Sequence, residues 1–354
     1  MARKMALLAD RFNTLWFEDN CVHMLNRRKY PLSVEYVTCR DLESVAVAIE
    51  DMTIQGAPPL AYAAGLGLTM HARAHQDEGE ESFFASLDAG CCRLRHTRPT
   101  GRDLDDVLNG CMGVAREVFA ANGDVPEAIR AYVYTLIADG NRIARDTGRY
   151  AADLVPDGAR IQTICFAGAA LANMLYFAAE DGKDIRLCAS ETRPYLQGAR
   201  LTAQSCVEMG VPVTVITDNM PAYLMQSGKT NLFISTADKI TMDGYIANKI
   251  GTYPLAMAAH DNDIPYYLLG YNGPVQGSYG ASSLIIEERD PQEVLHCLGQ
   301  RTAVEGAQGY YPAFDITSPK YISAVATDRG IFPARLIYKY HTTIYQDPFA
   351  GREE

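Results

Sequence analysis

Several features that would fix a function at once are missing from this chain of 354 residues. No window reaches about 18 uninterrupted apolar residues, the length a membrane-spanning helix needs, so no membrane partner is expected. No Gly-x-Gly-x-x-Gly follows any strand-like run, which argues against a dinucleotide-dependent dehydrogenase. The nine cysteines are dispersed and never spaced as Cys-x-x-Cys, and no histidines join them at ligand spacing. A zinc site and a disulfide framework are both disfavoured, and the thiols read as reduced in a cytoplasmic setting. The opening stretch MARKMALLADRFNTLW has an apolar run cut by Asp10 and Arg11, too short for a signal peptide. Cations are in deficit: 32 Lys and Arg against 43 Asp and Glu leave a net charge of -11. Such a chain repels phosphate backbones, so nucleic acid is not an expected partner. Repeats and low-complexity tracts are also absent.

What is present is an ordinary globular composition, 48% hydrophobic and 21% charged, long enough for two domains. Residues 16–39 alternate weakly and suggest short antiparallel strands. Helical patterns follow over 42–52, 57–75 (entered through Pro58-Pro59), 82–95, 103–121 and 125–147. From about Gly158 the texture changes to short apolar runs separated by single helical stretches. The runs are Ile161–Cys165, Ile185–Ala189, Val213–Thr217, Asn231–Ser235 and Tyr266–Leu269; the helices fall near 167–180, 197–209, 219–227 and 247–262. Strands joined by single helices need crossovers, which implies a parallel, helix-covered sheet. The fold class expected is therefore α/β, with a helical domain bearing a small sheet over 1–150 and a Rossmann-like domain over 151–354.

Ligands of such sheets sit beyond the carboxyl ends of the strands. Four successive runs deliver polar groups there: Cys165-Phe-Ala-Gly, Ser190-Glu-Thr-Arg-Pro, Thr217-Asp-Asn-Met and Thr236-Ala-Asp-Lys. Cys165 is either a small core residue or a thiolate favoured by a helix start, able to act as base or nucleophile. Asp238 is a solvated or capping carboxylate on local grounds, or a reacting acid; Asp218 could cap the helix after it. Asn248 and Lys249 look like the start of a helix that could greet an anion with an ammonium and amides, or a plain polar entry. Gly56-Ala-Pro-Pro is a possible amide-lined turn.

Read together, these segments resemble the methylthioribose-1-phosphate isomerase family, related in fold to the regulatory subunits of translation initiation factor 2B. The matching stretches are Ile54-Gln-Gly-Ala-Pro, Arg98-Pro-Thr, Cys165-Phe-Ala-Gly, Glu191-Thr-Arg-Pro-Tyr-Leu-Gln-Gly-Ala-Arg-Leu-Thr202, Thr217-Asp-Asn-Met220, Ala237-Asp-Lys and Ala247-Asn-Lys-Ile-Gly-Thr252. Ile285-Ile-Glu-Glu-Arg-Asp and Pro312-Ala-Phe-Asp-Ile-Thr317 continue the likeness. The resemblance implies a cytoplasmic homodimer of the methionine-salvage type, with Cys165 and Asp238 catalytic. Gln55, Gly56, Ala57, Arg98, Gln197, Asn248 and Lys249 would hold a small sugar or sugar phosphate. No metal or other cofactor is implied.

An aldose–ketose isomerisation moves hydrogen from C2 to C1. A furanose blocked at C1 needs an acid at the ring oxygen, a role for Asp238 if an apolar setting raises its pKa. Cys165 as thiolate would take the C2 proton, or serve the hydroxyl proton if hydride moves directly. The chain departs from the family at the expected pocket: Gln55 stands where arginine is usual, Phe166 where asparagine is usual, and Gly270-Tyr-Asn-Gly-Pro-Val-Gln-Gly-Ser replaces an Ala-Pro-Ser-Thr-like loop. Losing a bidentate clamp should weaken phosphate binding by about 1.5–3 kcal/mol. The expected substrate is a 5-modified ribose 1-phosphate; the alternatives are its phosphate-free counterpart, or a sensing role without catalysis like the initiation-factor relatives.

Overall fold

The computed structural model describes residues 4–98 and 102–351, without the side chains of Ala57 and Arg102. The chain divides into two compact units, one of residues 10–141 and one that combines the segment before Asp10 with 142–354. The division differs from 1–150 and 151–354 at both ends, because Ala6 and Ala9 are buried in the core of the second unit and Leu7 donates its N–H to Glu208 at 2.8 Å.

In the first unit, β1 (Leu15–Glu18), β2 (Cys21–Leu25) and β3 (Tyr36–Cys39) form an antiparallel meander. Asp41 then caps α1 (Leu42–Glu50) through a reciprocal capping box with Ser44. The next helix, α2 (Ala57–His75), is buried nearly all round, and its small residues let neighbours approach closely. A Cβ at Gly65 would lie 2.6 Å from Val133 Cγ2. Around it pack α3 (Glu80–His96), α4 (Arg102–Ala120) and the first part of α5 (Val125–Leu154). The amphipathic run of α5 continues past Thr147 because Ala151 and Ala152 still face a core.

The second unit is built on a seven-stranded sheet of order β15-β14-β10-β7-β4-β5-β6. These are β4 (Ala159–Thr163), β5 (Ile185–Ser190), β6 (Val213–Ile216), β7 (Leu232–Thr236), β10 (Tyr266–Leu269), β14 (Ala324–Thr327) and β15 (Gly330–Phe332). All pairs are parallel except β14 with the edge strand β15. The crossover helices are α6 (Gly168–Glu180), α7 (Ala203–Glu208), α8 (Pro221–Gln226) and α9 (Thr252–Asp261), with a five-residue π turn, Gly198–Thr202, leading into α7.

A smaller antiparallel sheet, β13-β9-β8, begins just after the carboxyl end of β7; it consists of β8 (Lys239–Ile240), β9 (Ile246–Lys249) and β13 (Phe314–Thr317). Residues 246–249 are therefore strand, not the start of the helix expected over 247–262. Their pairing with Phe314–Thr317 supplies the hydrogen bonds that a helix would otherwise make. A short helix α10 (Gln292–Leu295) and the two-residue strands β11 (His296–Cys297) and β12 (Gln300–Arg301) complete the unit. All nine cysteines are unbridged. Among the described residues no helix is long and apolar enough to cross a membrane.

Candidate active site

β4 and β7 run side by side, with Thr163 opposite Ile234. Strand order reverses between them: β5 and β6 extend outward beyond β4, while β10 and β14 extend beyond β7. At such a reversal the connections leave in opposite directions and open a crevice past the carboxyl ends. Cys165 and Asp238 each stand two residues beyond one of these two strands. The two residues singled out from sequence therefore flank the switch point of the sheet.

The backbone at Cys165 is left-handed, φ 62, a conformation that costs a side-chain-bearing residue roughly 1–3 kcal/mol and persists only when neighbours enforce it. Its N–H donates to Thr192 Oγ1 at 2.8 Å, and its carbonyl accepts from Thr202 Oγ1 at 2.7 Å. Thr192 is itself fixed, donating its hydroxyl to the Ser190 carbonyl at 3.0 Å and its N–H to Asp218 at 2.8 Å; the Arg193 N–H reaches the same carboxylate at 2.7 Å. Asp218 thus holds the Glu-Thr-Arg-Pro turn and does not cap α8. The close return of the chain requires Gly198, where a Cβ would lie 1.7 Å from the Ser190 carbonyl oxygen.

At Cys165 and Asp238 the surroundings of the side chains differ from those expected. α6 begins at Gly168 after an Ala167 cap, close to the helix start expected near 167, and Cys165 stands just ahead of it. Burial pushes its thiol up to about 11; Asp238 adds to the rise, and Lys249 and Arg289 oppose it. That burial disfavours the thiolate expected from the helix start. Asp238 is exposed on the connection from β7 to β8, its N–H donating to the Ala247 carbonyl at 2.9 Å. The apolar setting expected around that carboxyl is not there.

Asn248 and Lys249 are buried, paired across the small sheet with Asp315 and Phe314. The Lys249 ammonium lies 3.5 Å from the Tyr311 hydroxyl and 4.9 Å from the centre of the Phe314 ring. Burial holds its pKa below the ordinary lysine range, and the neighbouring Cys165 opposes that fall. Asn248 Nδ2 donates to Thr252 Oγ1 at 3.0 Å. The amides expected to greet an anion beside them are already taken: Gly251 N–H donates to Asp315 Oδ2 at 2.7 Å and Tyr253 N–H to Oδ1 at 3.0 Å. Burial still pushes Asp315 up to about 6, against those amide bonds.

Gln197 Oε1 is buried and accepts no hydrogen bond among the described residues, leaving an acceptor unsatisfied by the protein itself. Sequence reasoning did not single out Arg289 as a site residue, although it lies in the quoted Glu-Glu-Arg-Asp stretch. Its guanidinium pairs with Glu287 at 3.1 Å, stacks 5.5 Å from Phe314 and is felt by both Cys165 and Lys249. Of the aromatic residues that wall in the two cations, Phe314 lies in the quoted Pro312–Thr317 stretch and Tyr311 just before it, and neither carried a signal of its own.

The other proposed residues gather in the first unit. Gln55 is buried, donating Nε2 to the Met52 carbonyl at 3.2 Å and accepting Arg27 Nη1 on its own carbonyl at 2.6 Å. Arg98 lies against the Met52 sulfur, and its Nε is buried without a hydrogen-bond partner among the described residues. Gly56 has φ 94 and precedes α2, where Pro58 and Pro59 carry no N–H. That turn is poorer in amides than its glycine suggested. The side chain of Ala57 lies outside the described residues. Burial brings Arg27 down to about 10, so it remains a cation at neutral pH beside Gly56. Among the described residues no group of three His, Cys, Asp or Glu is arranged to hold a metal ion.

A profile of the Initiation factor 2 subunit family matches residues 53–334, which fixes the broad class. The crystal structure of translation initiation factor eIF-2B, subunit delta, from A. fulgidus superposes with a TM-score of 0.78 at 29% identity over 93% of this chain and 97% of that one. The 5-methylthioribose 1-phosphate isomerase from Pyrococcus horikoshii superposes with a TM-score of 0.83 at 32% identity, over 93% and 94% of the two chains. The methylthioribose-1-phosphate isomerase of Desulforamulus reducens is 37% identical over 329 residues, 90% of this chain and 95% of its own. The corresponding protein of Pelotomaculum thermopropionicum is 38% identical over 332 residues, 89% of each chain. This chain belongs to the methylthioribose-1-phosphate isomerase family.

Proposed function

We propose that this protein is an aldose–ketose isomerase converting 5-methylthioribose 1-phosphate, or a closely related 5-modified ribose 1-phosphate, to the ribulose 1-phosphate. The observation that carries the chemistry is the placement of Cys165 and Asp238 on either side of the β4/β7 switch point. Membership of the family supplies the reaction class. A homodimer working in the cytoplasm is the setting that goes with this reading.

The structure of the site favours particular roles. A thiol at about 11 is ionised in only about one molecule in ten thousand at pH 7. Cys165 is therefore assigned the donor's role, giving its proton to the ring oxygen as the C1–O bond breaks. Hydride then moves from C2 to C1, and Asp238 takes the proton from the C2 hydroxyl as the carbonyl forms. Return of that proton to the sulfur closes the cycle, with no net gain or loss of electrons. Lys249 and Arg289 stabilise the thiolate left after the first step and any negative charge on the sugar oxygens. Gln197 and Asn248 are proposed to hold hydroxyls.

In the first unit, Gln55, Gly56, Ala57 and Arg98 are proposed as substrate-holding positions. The arginine missing at Gln55 leaves that neighbourhood with Arg27 and Arg98 as cations, which favours a phosphorylated substrate over a phosphate-free one. The test is turnover of 5-methylthioribose 1-phosphate beside 5-methylthioribose, with deuterium at C2. Retention of the label at C1 supports the hydride route, whereas its loss to water requires a base at carbon. If neither sugar is converted, the substrate assignment fails.

A further inference from the structure

The loop after β10, which departs from the family pattern, puts a tyrosine at the start of the helix that follows Cys165. Tyr271 donates its hydroxyl to the Ala167 carbonyl at 3.1 Å and accepts the Ala170 N–H at 3.1 Å. Gly168 leaves room for this, since a Cβ there would lie 2.4 Å from the phenol oxygen. The loop that presents the ring is tied down on its own side. Gly270 N–H donates to the Ala326 carbonyl at 2.7 Å, and Asp328 N–H to the Tyr271 carbonyl at 3.0 Å.

We propose that Tyr271 is a positioning residue for Cys165, holding the downstream half of its turn and closing the N-terminus of α6 to substrate oxyanions. Thr192 and Thr202 grip the N–H and carbonyl of Cys165 itself. Neither touches the Phe166-Ala167 part of the turn, and the phenol supplies that grip. An open helix N-terminus attracts anions because its first N–H groups lack partners. A neutral hydroxyl that both accepts and donates satisfies one amide and one carbonyl without adding charge. With that amide taken, the helix end offers an anion less, and side-chain cations gain weight as its partners; Lys249 and Arg289 lie within electrostatic reach of Cys165. The proposal rests on the assignment of Cys165 as a reacting residue.

The test uses the full chain carrying Tyr271→Phe, which keeps the ring and removes the hydroxyl. With 5-methylthioribose 1-phosphate, kcat is expected to fall about tenfold while KM stays within about twofold, the signature of lost alignment rather than lost binding. Independently of turnover, alkylation of Cys165 by iodoacetamide, read peptide by peptide, should change at least about threefold while that of the exposed Cys92 does not. Wild-type values for both readouts overturn the proposal, and a rise in KM alone would mean that the phenol touches substrate. Because alkylation needs no substrate, a failure of the isomerase assignment leaves this arm intact. Tyr271→Ala should increase inhibition by inorganic phosphate at least about tenfold by opening the helix end; unchanged inhibition removes the closing role. Should Tyr271→Phe fail to fold by circular dichroism, Gly168→Ala crowds the same hydroxyl from the other side. It should reproduce the changes in kcat and alkylation, and wild-type behaviour there also counts against the proposal.

Discussion

The two strand ends at the switch point are built in opposite ways. Past β4 the chain turns sharply through a left-handed cysteine gripped by Thr192 and Thr202, with Tyr271 against the start of α6. Past β7 it runs into a short hairpin, where Asp238 is exposed and its backbone follows the pairing of β8 with β9. Cys165 is fixed and half-buried, and burial disfavours its charged form; Asp238 is exposed. The proposed transfer of a proton from one residue and to the other would gain from this asymmetry, because burial favours the uncharged form of one group and solvent accommodates charge on the other.

The most direct way to break the comparison is to remove each proposed reacting group in turn. Cys165→Ser and Asp238→Asn should each lower kcat by about 10³-fold or more, the range for positioned acid–base groups, with circular dichroism unchanged. If either variant keeps more than a tenth of the activity, that strand end is not a reacting one. Next in size is Lys249→Met, which removes a cation beside the thiol. The thiol should then titrate above about 11, and kcat/KM should fall roughly 10–100-fold, as for loss of a charge-stabilising donor.

The thiol itself offers a pH test. Alkylation of Cys165 in the wild type should rise close to tenfold per pH unit from pH 7 towards its value of about 11. A plateau near pH 7 would mean that the sulfur is a thiolate at rest. Smaller effects should separate the two scaffolds. Thr202→Val removes the hydroxyl bonded to the Cys165 carbonyl and should cost about 1–2 kcal/mol of stability, with a several-fold loss of kcat. On the hairpin side, Asp243 accepts from Thr241 Oγ1 at 2.6 Å and from the Gly280 N–H at 2.9 Å. Asp243→Ala should cost about 1 kcal/mol by denaturant melting and move kcat less than Thr202→Val does.

Much of the parallel sheet was legible because buried strands and amphipathic helices alternate at regular lengths. The strand ends could then be found by counting. Ile246–Lys249 was not legible, since Ala-Asn-Lys-Ile-Gly looks locally like a helix entry and its partner strand comes 65 residues later, at Phe314–Thr317. Ala324–Phe332 was passed over for a similar reason: an edge pair at the end of the chain becomes a strand through its contact with β10. At the candidate site, the placement of Cys165 and Asp238 at neighbouring strand ends was readable, and the surroundings of their side chains were not. A helix start predicts a low thiol pKa, but burial pushes Cys165 the other way, and the charges that act on it, Asp238, Lys249 and Arg289, are distant in sequence. Arg289 and Tyr311 escaped notice because a lone arginine or tyrosine announces nothing until Lys249 and Phe314 are placed beside it.

The short segment before Asp10 has a consequence for how the molecule is made. Ala6 and Ala9 pack in the same core as Ala170 and Leu171, and Leu7 bonds to Glu208 across 201 positions of sequence. On a ribosome adding about 5–20 residues per second, this segment waits unprotected until α7 has been synthesised. The core that includes the start of α6 is therefore sealed late, only once residues far downstream of this segment are in place. Bulky fusions placed there would burden the maturation of the catalytic unit before they touched its chemistry.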